Sequence, residues 1–323
     1  MKKIFVKSRK EDFSKIKEVL NSINATQVQV DGKERTITLY VSEEAVDEVI
    51  GKLVSAMDLR YKENMIEVSS LDFVITRVTN MKNEDKTVRT PVEQLIYSTR
   101  KYMKLDFGKI ALTSIASLVA MTGLLLNNPT IVIGAMLLSP LLGPIYSFAI
   151  NTAVGKLKDA IISVAVLAVL LFSSFILSVI SAAFLSVFYN VPTTAEISLR
   201  EIIYPIYVPM AILLGFASLL ALANGMLESI VGVAVATALL PPVVVSGLMT
   251  VINFSKAAAP AIIVLQNVLG LMSGSLIAVL VLNIGPRRYY EKATAKRYMA
   301  RVLYILSVLL IIVTILSVIF GKR

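Results

Sequence analysis

The sequence predicts an α-helical membrane protein with several spans, joined to a small soluble α+β domain at its N-terminus. Charge is distributed very unevenly along the 323 residues: residues 1–109 contain 20 of the 32 Lys and Arg and 17 of the 22 Asp and Glu. Residues 110–284 contain only four basic and four acidic side chains. Apolar runs of about 20 residues can cross a bilayer, so this part is expected to lie in the cell membrane.

The first 78 residues show the pattern of an α+β domain. Apolar residues alternate in strand-like runs and recur at helical spacing in the segments between them. An Asp-Gly pair, Asp31-Gly32, joins the second and third strands and is typical of tight hairpins. The predicted order is strand 2–7, helix 11–23, strands 26–31 and 35–41, a helix that opens at Ser42 and ends near Met57, and β character at 64–69 and 72–78. This βαββαβ order predicts a ferredoxin-like domain over 1–78.

The partners of this domain are only weakly constrained by its composition. Its mixed charges give residues 1–109 a balance of +3, and no aromatic RNA-stacking motif occurs. Nucleic-acid binding is therefore not predicted. We interpret the domain as a self-association or regulatory module.

A polar linker and a basic helix occupy residues 79–109. The linker covers 79–90, and Pro91 stands at the first helical position that proline tolerates. The helix that follows mixes apolar and basic residues, which favours a position at the lipid headgroups. The alternative is a plain helical extension of the first membrane span.

Seven apolar segments are long enough to be membrane helices. They are 110–126, 130–150, 160–188, 206–223, 229–252, 258–284 and 302–321. Basic clusters at 155–159 and 285–301 fall on the same side as the N-terminus, so the positive-inside rule predicts a cytoplasmic N-terminal domain. The charged N-terminal residues are also not expected to form a signal peptide. Lys322-Arg323 alone argue for the opposite side, at the end of the seventh segment.

A nine-residue pattern occurs twice, 102 positions apart. It consists of small residues, Leu-Leu, a Ser or Pro, a Pro and two aliphatic residues. The copies are Gly134-Ala135-Met136-Leu137-Leu138-Ser139-Pro140-Leu141-Leu142 and Ala236-Thr237-Ala238-Leu239-Leu240-Pro241-Pro242-Val243-Val244. Asn151 and Asn253 correspond at the same offset. The two copies define three-span repeats, 110–188 and 206–284, and an odd number of spans gives them opposite orientations.

The prolines of both copies predict broken membrane helices, because proline removes a backbone donor and clashes with the preceding turn. Carbonyls freed inside a bilayer must face protein, water or a bound ion. We expect the two breaks to meet near the midplane and to line a solute or ion pathway. The predicted pathway residues are Ser139, Pro140, Gly143, Pro144, Thr237, Pro241, Pro242 and Ser246. The alternative is that the prolines only kink their helices.

Other polar residues near the spans are secondary candidates. These are Asn151, Glu228, Asn253 and Asn267. Glu228 suits either a helix start, favoured by the helix dipole, or a gate. Asn267 and its neighbour Gln266 suit either helix–helix fastening or substrate binding, and Gly270 and Gly274 predict a close-packing face.

The motif Gly134-Ala135-Met136-Leu137-Leu138-Ser139-Pro140-Leu141-Leu142-Gly143-Pro144-Ile145 resembles the hallmark of the prokaryotic domain of unknown function 389 family. A second stretch, Val231 to Pro242, is also similar, and the resemblance covers roughly 95–284. The resemblance implies a multi-span membrane fold, often with a soluble N-terminal domain, and no established substrate.

The sequence contains no Cys and no His, which excludes thiol chemistry, disulfides and the Ser-His-Asp triad. No enzyme activity, catalytic residue, cofactor or metal site is predicted. The leading hypothesis is a secondary transporter or channel for a small solute or ion. The alternative is a membrane-anchored sensor or scaffold whose soluble domain binds a ligand or partner. Either protein is expected to be a homo-oligomer, most simply a dimer.

Overall fold

The computed structural model describes residues 2–20, 23, 25, 27–42, 45–70, 92–188, 190–286 and 289–321. The chain divides into two compact units, Met1–Val92 and Glu93–Arg323. The predicted strand at 72–78, the linker at 79–90 and Pro91 lie outside the described residues, as do Arg287 and Arg288.

The first unit is a four-stranded antiparallel sheet with two helices. Its elements are β1 (Lys2–Lys7), α1 (Lys10–Leu20), β2 (Gln27–Asp31), β3 (Thr36–Val41), α2 (Val46–Ala56) and β4 (Met65–Ser70). The strand order is β2-β3-β1-β4. Alternate residues of the central strands, such as Ile4 and Leu39, are buried with Ile16 of α1 and Leu53 of α2. One apolar face per element is thus sufficient to build the core.

A buried polar network holds the start of α1. The Asp12 carboxylate accepts hydrogen bonds from Asn64 Nδ2 at 2.6 Å and from Arg9 Nε at 2.9 Å. Burial raises the pKa of Asp12, but these hydrogen bonds and the charge of Arg9 outweigh it, and the pKa lies below its ordinary value. The folded unit therefore stabilises the charged, carboxylate form of Asp12.

The second unit is helical. Its helices are α3 (Val92–Met103), α4 (Phe107–Leu125), α5 (Pro129–Leu138), α6 (Leu142–Val154), α7 (Leu157–Phe188), α8 (Ala195–Ser198), α9 (Tyr207–Ala223), α10 (Glu228–Ile252), α11 (Ala258–Val281) and α12 (Tyr289–Gly321). Among the described residues, five helices are long and apolar enough to cross a membrane. The pair α5 and α6, bent by 50°, makes a sixth if it is counted as one span, and α9 is a shorter apolar helix.

The surface of these helices is strongly apolar. Phe172 of α7, Leu213 of α9 and Ile312 of α12 are each about half exposed or more. An aqueous surface rarely carries so much contiguous apolar area, whereas lipid solvates it well. The length and surface of the helices are those of a multi-pass membrane protein.

Helix α3 is separate from the first long helix. Residues 104–106 lie between α3 and α4, and Asp106 caps α4 by accepting a hydrogen bond from Lys109 N at 2.8 Å. Because α4 has its own capped start, α3 is a separate helix. The alternative prediction, a plain extension of the first membrane span, is therefore wrong. Instead α3 contacts α6, where Ser147 Oγ donates to the Thr99 carbonyl and Tyr146 OH donates to the Leu95 carbonyl.

Helices α9 and α11 are in close backbone contact, which confirms the predicted packing face. A Cβ on Gly270 would lie 2.6 Å from Ala211 Cβ, and one on Gly274 would overlap the Ile212 carbonyl oxygen. Gly215 faces Leu271 equally closely from the other side. Only residues without a side chain permit this approach.

Candidate functional site

The first proline motif breaks its helix. Helix α5 ends at Leu138, the N–H of Ser139 bonds to the Met136 carbonyl at 3.3 Å, and α6 starts at Leu142. Pro140 cannot donate to continue the ladder, which explains the break. Pro144 is the third residue of α6, where an N–H has no intrahelical partner, so it favours a helix start and not a second break.

The break leaves several oxygens unpaired. The carbonyls of residues 137–140 accept no hydrogen bond from any donor in the described part of the chain. The Ser139 side chain is buried, and its Oγ also has no partner there. An unpaired buried polar group costs roughly 1–3 kcal/mol. This part of the molecule is therefore suited to receive a hydrogen-bond donor or a cation.

A cavity of about 270 Å³ lies at the break. Ser139, Pro140 and Gly143 line it from one side, and Glu228 and Gly232 of α10 line it from the other. The structure thus brings three predicted pathway residues together with one secondary candidate.

Helix α3 packs against this region, where Lys101 contacts Glu228 and Tyr102 contacts Gly143. Lys101 Nζ lies 2.8 Å from Glu228 Oε2. Burial, and after it the Glu228 carboxylate, raises the pKa of Tyr102 well above its ordinary value, so its hydroxyl stays protonated. A Cβ on Gly143 would overlap the Tyr102 ring, so glycine is needed for this close contact.

The second proline motif does not break its helix, and here the sequence prediction was wrong. Helix α10 runs from Glu228 to Ile252 with Pro241 and Pro242 inside it. Pro242 cannot bond to the carbonyl of Ala238, one turn earlier. Asn267 Nδ2 of α11 donates to that carbonyl at 2.7 Å instead. The Asn267 amide thus replaces the hydrogen bond that Pro242 cannot make, and α10 remains helical.

A second cavity, of about 350 Å³, lies beside this motif. Its walls combine Thr237, Pro242 and Asn267 with an ion pair at one end, where Arg200 Nη1 lies 2.7 Å from Glu196 Oε2. Arg200 and Glu196 are largely buried, and the remaining lining is mainly apolar. Sequence reasoning missed this pair. Its signal was available, because residues 110–284 contain so few charged side chains.

The two motifs contact each other but do not share one cavity, which corrects the prediction of a single site. Thr237 Oγ1 lies 3.2 Å from Met136 Sδ. Met136 lines the cavity at the break, and Thr237 lines the cavity beside Pro242. The linings of the two cavities are therefore in contact at this pair of side chains.

Residues 136–273 match the model of the family described as "domain of unknown function (DUF389)". Over this range the chain is similar to that family. It is also 23% identical over 273 residues to the uncharacterized protein MJ0678 of Methanocaldococcus jannaschii, and the alignment covers 84% of this chain and 83% of that protein. No solved structure matches the chain.

The residues that line both cavities lie within the range that matches the family model. This range begins at Met136 and includes Ser139, Thr237 and Asn267. Glu196 and Arg200, which lie between the predicted segments 160–188 and 206–223, fall within the matched range as well. The family match therefore spans both proline motifs and the ion pair.

The other predicted residues lie elsewhere in the helical unit, apart from the two cavities. Asn151 Nδ2 donates to the Ser147 carbonyl at 2.9 Å, and Asn253 ends α10 and accepts from Ser255 Oγ at 2.6 Å. Ser246 lines a third cavity of about 270 Å³ and donates to the Ala257 carbonyl at 3.1 Å. Pro241 is buried within α10.

Proposed function

We propose that the helical unit moves a small solute or ion across the cell membrane, as a secondary transporter or channel. The observation that carries the proposal is the pair of cavities on the two proline motifs, which approach each other at the Met136–Thr237 contact. A contact between the linings of two cavities, one on each motif, is suited to gate a path between them.

The expected topology assigns the cavities to opposite sides of the membrane. The cavity at the break includes Glu228, at the start of α10, and the second cavity reaches Glu196 and Arg200. With a cytoplasmic N-terminal domain, as loop charge predicts, the first would open inward and the second outward. The Met136–Thr237 contact would then close the path between them.

We infer that the two helical triplets are inverted repeats. Shifted by 102 positions, α4, α5 and α7 begin within three residues of α9, α10 and α11. This agreement supports repeats at 110–188 and 206–284, of which only the first contains a broken helix. Alternating access would consist of movement of one triplet against the other, with the contact between the motifs opening in turn to each side.

We propose a ferredoxin-like fold for the N-terminal unit and a homo-oligomer, most simply a dimer, for the protein. The element order βαββαβ and the sheet order β2-β3-β1-β4 support the fold. The edge strand β2 is fully exposed, with Val28 and Val30 at its surface. An edge with exposed apolar residues is suited to contact a second copy.

The absence of cysteine permits a direct test of water access. Single cysteines at Ser139 and at Pro242 would be exposed to a small membrane-impermeant maleimide, in right-side-out and in inverted vesicles. We expect Ser139→Cys to react from the cytoplasmic side and Pro242→Cys from the outside. Cysteines at the fully buried Ala135 and Ala236 are matched controls and should stay unreactive.

The outcome decides between the transporter and the sensor or scaffold. If Ser139→Cys and Pro242→Cys are both as unreactive as the controls, while an exposed loop cysteine at Thr193 reacts normally, water does not reach the motifs. The transport proposal would then be wrong. The membrane helices would act as an anchor, and the N-terminal unit would be the functional part.

A further inference from the structure

The break between α5 and α6 has more hydrogen-bond acceptors than donors. Four carbonyls, of residues 137–140, and the Ser139 hydroxyl oxygen have no donor among the described residues. Prolines at 140 and 144 each remove one N–H from the same stretch without removing a carbonyl. The local chain chemistry therefore leaves a surplus of oxygen atoms whose lone pairs are directed at no donor.

The charge that lines the cavity at the break is negative. The carbonyl end of α5 carries the negative end of its helix dipole. Glu228 lines the same cavity, and no basic residue is among the residues that line it. Lys101 pairs with Glu228 from α3, but both side chains are substantially exposed, so the pair is screened by water. The cavity thus favours a positive ligand.

Ser139 is the most specific feature of the cavity. Its side chain is only 6% exposed, and its Oγ has no hydrogen-bond partner in the described part of the chain. A hydroxyl in this position can complete the coordination of a cation together with neighbouring carbonyls. Unwound backbone carbonyls and half-helix C-termini coordinate sodium in membrane transporters.

We propose that the cavity at the α5–α6 break binds a small alkali-metal cation through the Ser139 hydroxyl and the carbonyls of residues 137–140. Calcium is not expected, because it prefers several carboxylates and only Glu228 lines the cavity. This proposal rests on the proposed transport function, in which the cation would be the transported or coupling ion.

The test uses the full-length protein purified in detergent. Its thermal unfolding midpoint would be measured in NaCl, in KCl and in N-methyl-D-glucamine chloride at equal ionic strength, and radiolabelled sodium binding would be measured in parallel. We expect saturable stabilisation by sodium or potassium and none by the bulky organic cation. Ser139→Ala should raise the dissociation constant about tenfold, as loss of one interaction with a charged group does.

Ser174→Ala is the matched control. Ser174 of α7 is also buried, and its Oγ has no partner among the described residues, but it does not line this cavity. Its replacement should leave cation affinity unchanged. If Ser139→Ala does not fold, the similarly shaped pair Ser139→Thr and Ser139→Val replaces it, and only the threonine variant should keep the affinity.

The results separate this proposal from the transport function. No saturable cation effect, or equal effects of Ser139→Ala and Ser174→Ala, would overturn the cation site even if both cavities react with maleimide. Cation binding that depends on Ser139 would support the site even if Ser139→Cys and Pro242→Cys are both unreactive to maleimide. In that case the transport proposal alone would fail.

Discussion

The two proline motifs of this protein have nearly the same sequence pattern and different structures. Pro140 ends α5 and the chain bends by 50°, whereas Pro242, at the corresponding position, lies inside the continuous helix α10. In the second motif Asn267 donates to the carbonyl that Pro242 leaves free. The corresponding position in the first triplet is Ala165, which has no amide to donate.

The difference shows that proline alone does not decide whether a membrane helix breaks. Each proline removes one helical hydrogen bond, and the cost depends on whether another group satisfies the freed carbonyl. One helix is repaired by a neighbouring side chain. The other is left open, and its open oxygens line a cavity. Two similar motifs thus yield one continuous helix and one broken helix whose oxygens form a candidate ligand site.

The largest effect is expected at the contact that holds the second triplet. Gly274→Ala would place a Cβ on the Ile212 carbonyl oxygen, and backbone cannot move away as a side chain can. We expect a loss of about 3 kcal/mol in the free energy of unfolding, measured by denaturant titration in mixed micelles.

Gly134→Ala is its control in the first triplet. Apart from its chain neighbours and the backbone of its own helix, no atom of the described residues lies within 4 Å of the position of its Cβ, and alanine is the better helix former. This variant should be neutral or stabilising by about 0.5 kcal/mol. Equal destabilisation by both glycine replacements would contradict the assignment of α9–α11 as the close contact.

The repair of α10 can be measured with a double-mutant cycle. Asn267→Ala leaves the Ala238 carbonyl unpaired and should cost about 1–2 kcal/mol. In a Pro242→Ala background the restored N–H can bond to that carbonyl, so Asn267→Ala should cost less than about 0.5 kcal/mol. The cycle cancels the packing loss that Pro242→Ala itself causes.

The control for this cycle is Asn253→Ala at the exposed end of α10, which should change stability by about 0.5 kcal/mol or less in both backgrounds. Additive effects of Asn267→Ala and Pro242→Ala would mean that Asn267 does not compensate for the proline.

The starts of the two motif helices also differ. Asn128 caps α5, and its Oδ1 accepts hydrogen bonds from Thr130 N at 3.0 Å and Ile131 N at 3.4 Å. Asn128→Ala should therefore cost about 1 kcal/mol. Helix α10 has no side-chain cap, and Ser229→Ala in its exposed first turn should cost about 0.5 kcal/mol or less. Thermal unfolding of both variants would show whether only the first helix depends on a cap.

The smallest effect is expected at the charged start of α10. Glu228→Gln removes the ion pair with Lys101, but both side chains are more than one-third exposed. The loss should be about 0.5 kcal/mol or less and should diminish as salt is added. A loss as large as that of Asn267→Ala, and independent of salt, would instead indicate a buried role for Glu228.

Several parts of the structure could be predicted from residue patterns. The apolar segments coincide with helices, and the alternation of apolar residues predicted the strands of the N-terminal unit within the described range. Gly270 and Gly274 correctly indicated a close contact. These features depend on local periodicity or on the absence of a side chain, and both can be read along the chain.

The sequence predicted the break at Pro140 correctly. It did not predict that α10 continues through Pro242. The deciding group, Asn267, lies on another helix, and nothing in the sequence states that its amide reaches the Ala238 carbonyl. The pair of Arg200 and Glu196 was overlooked for a similar reason, since a loop position does not reveal which cavity it borders. Hydrogen bonds between distant residues depend on how helices pack.

The sequence by itself determined where apolar helices and the α+β unit form, because burial of an apolar face or span follows from residue order alone. Only the tertiary structure decided that the two motifs differ, that Met136 contacts Thr237, and that the oxygens of the break have no donor among the described residues. The physical reason is that a polar backbone group in a membrane helix is satisfied or left open by its neighbours in space. The sequence identifies the groups at risk, and the packing of the helices determines which of them a ligand can still reach.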